Sequence, residues 1–211
     1  MHYYPIYLDL KNRLCVIFGG GAVALEKAEG LLEAGAHVRI IAPELTQELD
    51  ALIRENSENV EYLPRTFQPG DTNGVFMVFA ERLPEADAIF READANNVPV
   101  NVQDDTPRCS FIAASIVRRG DLTITISTSG KAPALAVRLR QQLERQLGHH
   151  LARFLELAGR IRDPLLARYP DFETRKKLWY QLVDSDVLEL LKRGDEGRAR
   201  QRMSDIMGVP S

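Results

Sequence analysis

The sequence predicts an α/β fold built on a mostly parallel sheet, and three observations lead there. Short apolar, β-branched runs recur through the first half, helix-like segments separate them, and the first run opens into a glycine-rich turn. Strands alternating with helices require crossover connections, which put parallel strands into one sheet covered on both faces. The strand-like runs are residues 14–18, 37–42, 60–63, 75–80 and 98–102, with helical patterns at 23–33, 44–55 and 84–95. Around residues 110–115 the pattern changes. Residues 122–126 read as one strand, 127–130 as a polar turn, and 133–147 as a long amphipathic helix with Pro133 in its first turn, where a missing N–H costs little. From His149 onward only helical patterns remain, near 151–167, 172–183 and 187–191, with breaks expected at Asp163-Pro164, Tyr169-Pro170 and Gly194. Three parts follow: an α/β domain over 1–112, a linking segment over 113–148 and a helical domain over 149–211.

Composition narrows the class. The 211 residues are 45% hydrophobic and 27% charged, enough for a sizeable core, and the length lies between one domain and two. The net charge of −3 gives no global basic field for nucleic acid. No apolar run reaches the roughly 20 residues that span a bilayer, and residues 1–10 lack the charged and apolar regions of an export signal. A cytoplasmic location is expected. Cys15 and Cys109 cannot build a disulfide framework, and no CxxC or His/Cys cluster suggests a metal site. The four histidines, His2, His37, His149 and His150, read as surface or structural residues. Charge is uneven: Arg118, Arg119, Lys131, Arg138, Arg140, Arg145 and Arg153 are opposed over that stretch only by Asp121 and Glu144. Such a stretch reads as a solvated helix face.

The first turn carries the strongest local chemistry. Gly19, Gly21 and Ala24 fit G-x-G-x-x-A between a buried strand and a helix. Gly19 permits the tight turn, Gly21 lets a pyrophosphate approach the backbone, and Ala24 allows helix to pack closely on strand. The N–H groups that open the helix, at Ala22 and Val23, then face the phosphates. This points to a Rossmann-like, dinucleotide-binding domain. A tight turn without a cofactor is the plainer reading. The second strand ends Ile41-Ala42-Pro43-Glu44 rather than in an acid, so the ribose falls to backbone around Pro43 or to Glu44. Arg39 could meet a 2′-phosphate or simply point to solvent; the pattern favours NAD over NADP.

Several motifs together resemble the precorrin-2 dehydrogenase family, the NAD-dependent module of sirohaem synthesis. They are Tyr4-Pro5-Ile6-Tyr7-Leu8-Asp9-Leu10, the run from Val16 to Ala24 with Lys27 after it, Leu31 to Ala36, Ile41-Ala42-Pro43, Asn101-Val102-Gln103-Asp104, Ser110-Phe111-Ile112, and Ile126 to Pro133. The likeness runs in order along essentially the whole chain. It implies a homodimer with a Rossmann-like domain, a dimerisation segment and a helical domain. It implies precorrin-2, a reduced tetrapyrrole with eight carboxylates, as substrate and sirohydrochlorin as product, and so gives the basic stretch a task.

By the same resemblance Asp104 is the catalytic carboxylate, a general base or a group orienting the substrate. Its place after the fifth strand, at the carboxyl edge of the sheet, suits that role; burial that raised its pKa would help it take a proton. Plain turn chemistry and a role for Asp105 are the alternatives. Asn101 and Val102 are expected beside the cofactor, and Thr128, Ser129, Gly130, Lys131 and Arg118 beside the tetrapyrrole. Two departures stand out. Thr128 replaces a serine of fused enteric members, and Ala80-Glu81-Arg82 stands where relatives often carry Ala-Thr followed by an acid or Asn. A bifunctional enzyme that also inserts Fe2+ into sirohydrochlorin, and an NAD(H)-sensing regulatory module, are the competing functions. At this length no methyltransferase domain is expected, so methylation of uroporphyrinogen would fall to another protein.

Overall fold

A computed structural model describes residues 3–210, so His2 lies outside the described residues. The chain divides into two compact units between Ala113 and Ala114.

The first unit holds strands β1 (Leu14–Phe18), β2 (His37–Ile41), β3 (Val60–Leu63), β4 (Met77–Ala80) and β5 (Val100–Val102), with helices α1 (Ala22–Glu33), α2 (Gln47–Glu55) and α3 (Ala86–Ala95). All pairings are parallel, in the order β3-β2-β1-β4-β5. β1 shows why. Its side chains alternate between two buried layers: Cys15 and Ile17 pack with Ala24, Ala28 and Leu31 of α1, while Val16 and Phe18 pack with Ile89 and Ala93 of α3. A strand buried on both faces reads as a continuous apolar run, and each such side chain contributes about 1.5–3 kcal/mol. The residues at 24, 28 and 31 give α1 the face that lies on the sheet. Burial also pushes the Cys15 thiol up to about 11, so it is a packing residue and not a nucleophile. Phe18 is in register with both Ile41 and Ala80, so three strands end level. The chain winds from β1 outward to β3, then crosses back to β4. This creates a crevice at the carboxyl ends of β1 and β4.

Several predicted boundaries move. β4 starts at Met77 and β5 at Val100, because Val75 and Val98 are buried by the connections entering the strands. Helix α2 begins at Gln47 instead of Glu44. The Thr46 hydroxyl accepts the Leu49 amide as its cap, which leaves Glu44 in the loop after β2.

The loop entering β4 is tied to α3. Arg65 donates two hydrogen bonds of 2.7 Å to Asp71, and Glu92 accepts from the Gly70 amide (2.8 Å), the Thr72 amide (2.9 Å) and the buried Thr72 hydroxyl (2.6 Å). Burial alone would push the Glu92 carboxyl up. The Thr72 hydroxyl and the two amides outweigh this and hold it below the ordinary carboxylate range. A carboxyl lowered in the fold stabilises above its unfolded pKa of about 4.3, and that contribution is lost as pH falls through the lowered value. Glu92→Gln is therefore expected to cost about 1 kcal/mol at pH 7, with the gap from wild type closing below about pH 4. Thermal unfolding at both pH values checks this; an equal gap at both would assign the cost to packing.

The second unit opens on an antiparallel hairpin of β6 (Ser115–Arg119) and β7 (Leu122–Ile126), joined by Gly120-Asp121 with Gly120 at φ +58°. Helices α4 (Pro133–Gln146), α5 (His150–Arg168), α6 (Phe172–Val183), α7 (Val187–Lys192) and α8 (Glu196–Met207) follow. The sequence pattern predicts only one strand here. The Arg118-Arg119 pair resembles helix surface, but Gly-Asp is a hairpin signal. Arg119 lies across the end of α4, donating to the carbonyls of Leu147, Arg118 and Glu144 at 2.7 Å each. The break expected at Asp163-Pro164 does not occur. Pro164 is exposed, so the carbonyl it leaves unpaired meets water, while Leu157, Ile161 and Leu165 anchor the other face. Helix α8 is absent from the predicted elements, although the Asp195 cap and Gly208 at φ +65° mark its ends. Its Ala199, Met203 and Met207 complete the helical core. His37 and His149 are exposed and His150 half-buried. Among the described residues no helix is long and apolar enough to cross a membrane.

Candidate functional site

The crevice predicted by the strand order is a cavity of about 530 Å³ at the carboxyl ends of β1 to β4. Gly19, Gly20 and Gly21 form its floor, Ile41 to Thr46 one wall, Thr66 and Phe67 a second, and Glu81 to Glu85 the third, broken only at Arg82. Phe67 stacks edge-on against Phe18 at 5.5 Å, giving the cavity an apolar flank of the kind that takes a planar base.

Each glycine has its own reason. Gly19 sits at φ +135°, a conformation side chains rarely adopt. Gly20, which the motif leaves open, is the tightest: a Cβ there would overlap the Glu44 carbonyl oxygen, and its own carbonyl accepts the Thr46 amide at 2.9 Å. Gly21 has an ordinary φ of −92° and caps the N-terminus of α1. Its missing side chain leaves room for an anion against the helix end, where Ala22 and Val23 follow as the first helical residues. The group found in that space is a carboxylate. The Gly21 amide donates to Glu81 at 3.1 Å and 3.4 Å, and the Ala24 amide donates at 3.0 Å. Glu81 follows β4, with its own amide bonded to the Phe18 carbonyl at 2.8 Å. A carboxylate held there shows that this turn binds oxyanions, the property a pyrophosphate needs. The residues present therefore fit a dinucleotide.

Pro43 and Glu44 both line the cavity, as expected of a ribose contact. Its charged lining residues are Glu44, Glu81 and Glu85, and no lysine or arginine lines it. Arg39 instead donates to Glu61 at 2.7 Å. Arg39, the residue weighed as a 2′-phosphate contact, is thus paired and does not line the cavity. Asn101 and Val102 do not line this cavity. The Asn101 amide donates to the Phe111 carbonyl at 2.9 Å, and Val102 is buried with its amide on Cys109 Sγ at 3.3 Å. They hold β5 and the turn after it in place.

That turn presents Asp104. The Gln103 amide donates to the Ala80 carbonyl at 2.8 Å, so Asp104 leaves the same sheet edge as Glu81. It stands at φ +54°, which aspartate tolerates better than most residues. It is exposed, so burial gives it no help as a base, and its carboxylate has no hydrogen-bond or ion-pair partner among the described residues. Asp105 is committed: it accepts from Arg108 at 2.6 Å, and Arg108 also reaches Asp87 at 3.2 Å. The neighbouring pair thus separates into one free carboxylate and one that holds the single helical turn Thr106–Arg108.

In the second unit, Ser129 (φ +53°) and Gly130 (φ +76°) make the turn before α4. The Thr128 hydroxyl accepts the Ala132 amide at 3.2 Å, leaving its hydrogen available. Arg118, half-buried on β6, stands opposite Thr123. The basic stretch sorts itself. Arg119 is spent on carbonyls, Arg140 pairs with Glu144 at 2.6 Å, and Arg153 pairs with Glu156 and, at 2.5 Å, with Glu196. The Arg153 and Arg200 guanidiniums hold Glu196 down at about 2. Lys131, Arg138 and Arg145 are exposed and without ion pairs among the described residues. No group of three His, Cys, Asp or Glu among those residues could hold a metal ion.

Three family models match successive stretches of the chain, with the dimerisation region on the helical end and not on 113–148. A family described as "Putative NAD(P)-binding" matches residues 6–115, one described as "Sirohaem biosynthesis protein central" matches 119–146, and the "Sirohaem synthase dimerisation region" matches 150–207. The siroheme synthase of Photobacterium profundum is 38% identical over 208 residues, covering 98% of this chain and 44% of that protein. The siroheme synthase of Neisseria meningitidis serogroup C is 36% identical over 206 residues, covering 97% of this chain and 42% of that protein. The chain thus spans less than half the length of these relatives. The solved structure "SirC, precorrin-2 dehydrogenase" superposes with a TM-score of 0.73 at 22% identity, covering 94% of this chain and 100% of that one, which shows the shared fold. With a match over more than half its length, the chain belongs to the family described as "Putative NAD(P)-binding", and its later stretches are similar to the sirohaem-biosynthesis central and sirohaem-synthase dimerisation regions.

Proposed function

We propose that this protein is an NAD-dependent dehydrogenase that converts precorrin-2 to sirohydrochlorin, working as a homodimer in the cytoplasm. The observation that carries the reading is the shared sheet edge. The oxyanion-binding turn after β1 and the unpartnered Asp104 after β5 both stand there, in a chain whose regions follow those of sirohaem synthases. Bound NAD+ supplies the hydride acceptor. Gly19 to Gly21 and the first amides of α1 bind the pyrophosphate, and the Pro43-Glu44 segment holds the ribose. Asp104 takes the proton released as precorrin-2 loses a hydride, so that sirohydrochlorin, NADH and the proton account for all atoms. Asn101 and Val102 act by positioning that turn.

Eight carboxylates call for cations that are not already paired. Lys131, Arg138 and Arg145 meet that need. Arg118 and the turn residues Thr128, Ser129 and Gly130 complete the substrate side. Arg138 and Arg145 lie two turns apart on one face of α4. The Arg138→Ala/Arg145→Ala double variant is expected to raise KM for precorrin-2 about tenfold with kcat within about threefold, the pattern of lost uniform binding. An unchanged KM would move the carboxylate site elsewhere.

The proposed division is 1–112, 113–148 and 149–211, and the dimerising surface extends from the middle segment into the helical part, where the dimerisation region matches residues 150–207. The β6–β7 hairpin packs on α4, yet β6 and α4 still expose Ile116, Leu135 and Leu139, apolar area that a second copy covers. Anaerobic mixing of the protein with precorrin-2 and NAD+ tests the activity: NADH and sirohydrochlorin absorbance should rise together, and their absence defeats the proposal.

A further inference from the structure

The glycine turn is filled by the protein's own side chain, which bears on cofactor affinity. We infer that Glu81 is an internal competitor for the pyrophosphate site: its carboxylate must leave the Gly21 and Ala24 amides before a dinucleotide can bind. The inference rests on the dinucleotide reading above and concerns the same site.

Three observations carry it. The Glu81 oxygens lie 3.0–3.4 Å from two amide nitrogens that a phosphate would use. The carboxylate also lies flat on the turn, its Cδ 2.5 Å from where a Gly19 Cβ would stand and its Oε1 2.8 Å from that of Gly21. Pyrophosphate and carboxylate therefore cannot share the space. Finally, the Glu81 backbone is anchored to β1 through the Phe18 carbonyl while its side chain is only half-buried. Opening needs side-chain rotation alone, with the sheet unmoved. Once displaced, Glu81 remains a negative charge on the cavity wall beside Glu44 and Glu85, with no lining cation to offset it. Both the lost contacts and the residual repulsion oppose the dinucleotide. A threonine at this position could not reach the helix end.

Glu81→Thr and Glu81→Gln are each expected to bind NAD+ about tenfold tighter than wild type, because the contacts removed are charge-assisted hydrogen bonds partly screened by solvent. Glu85→Gln removes an equal charge from the same cavity without emptying the turn, and should tighten binding by no more than about threefold, the share that repulsion alone supplies. Titration with NAD+ and, separately, with inorganic pyrophosphate reads the effect. Amide resonances of Gly21 and Ala24 in the ligand-free protein should shift in both Glu81 variants and stay in place in Glu85→Gln.

Unchanged or weaker NAD+ binding by the Glu81 variants, with wild type binding normally, overturns the competitor and leaves the dinucleotide reading standing. Weaker binding would make Glu81 a cofactor contact. Equal tightening in Glu85→Gln also overturns it, in favour of general charge repulsion. Tighter pyrophosphate binding with no NAD+ binding by any variant supports the competitor and removes the dinucleotide reading.

Discussion

Asp104→Asn is expected to lower kcat for precorrin-2 oxidation by at least about a hundredfold while leaving NAD+ affinity within about twofold. The size follows from what a positioned general base contributes, about 10²- to 10⁴-fold. Asparagine is the informative substitution because of the backbone. Asp104 sits in the left-handed region at φ +54°, which asparagine adopts as readily as aspartate. The variant thus keeps the turn and loses only the ability to take a proton. Asp104→Ala should be equally slow, but the left-handed backbone adds a folding cost of about 1 kcal/mol. Asp105→Asn is the contrast. It breaks the 2.6 Å pair with Arg108 and should lower the unfolding temperature more than the turnover. Stopped-flow measurement of NADH formation under anaerobic conditions decides between the two, and full turnover by Asp104→Asn would transfer the role elsewhere.

Gly21→Asp is expected to weaken NAD+ binding by more than about a hundredfold without unfolding the protein. Gly21 has an ordinary φ of −92° and is the cap of α1, a position where aspartate is among the preferred residues. The new Cβ meets only the flexible end of Glu81, at 2.8 Å. Helix stability is thus maintained or improved while a permanent negative charge fills the pyrophosphate space. Calorimetric titration with NAD+ alongside a melting curve separates the outcomes: undiminished affinity would place the cofactor elsewhere. Gly20→Ala could not make this test, since its methyl group would strike the Glu44 backbone and disturb the whole turn.

Much of the fold is legible in the sequence because it is local chemistry. The five apolar runs become the five strands, since a parallel strand buried on both faces is written as an unbroken apolar segment. The glycine turn and the position of Asp104 can be placed from their spacing to those strands. The misreadings have a common cause. Strand β6 carries two arginines, and the task of Arg119, capping the end of α4, lies far away in sequence. Pro164 breaks no helix because only the tertiary core shows that it faces water. Glu44 reads as helical until the Thr46 cap and the contact with Gly20 place it in a loop.

From its residues alone the chain determines an α/β unit with a glycine-rich turn and a helical end, because periodicity, turn chemistry and capping act over a few residues. Asp105 and Arg140 find their partners three and four residues away, within reach of local pattern, but the tertiary structure alone commits Arg119 to the end of α4, 25 residues on, and Arg153 to Glu196, 43 residues on. Glu81, marked in the sequence only as a departure from its relatives, occupies the phosphate site because β4 is laid beside β1. Pairing between distant segments sets those distances, and electrostatic and hydrogen-bond energies depend on them far more steeply than on residue identity.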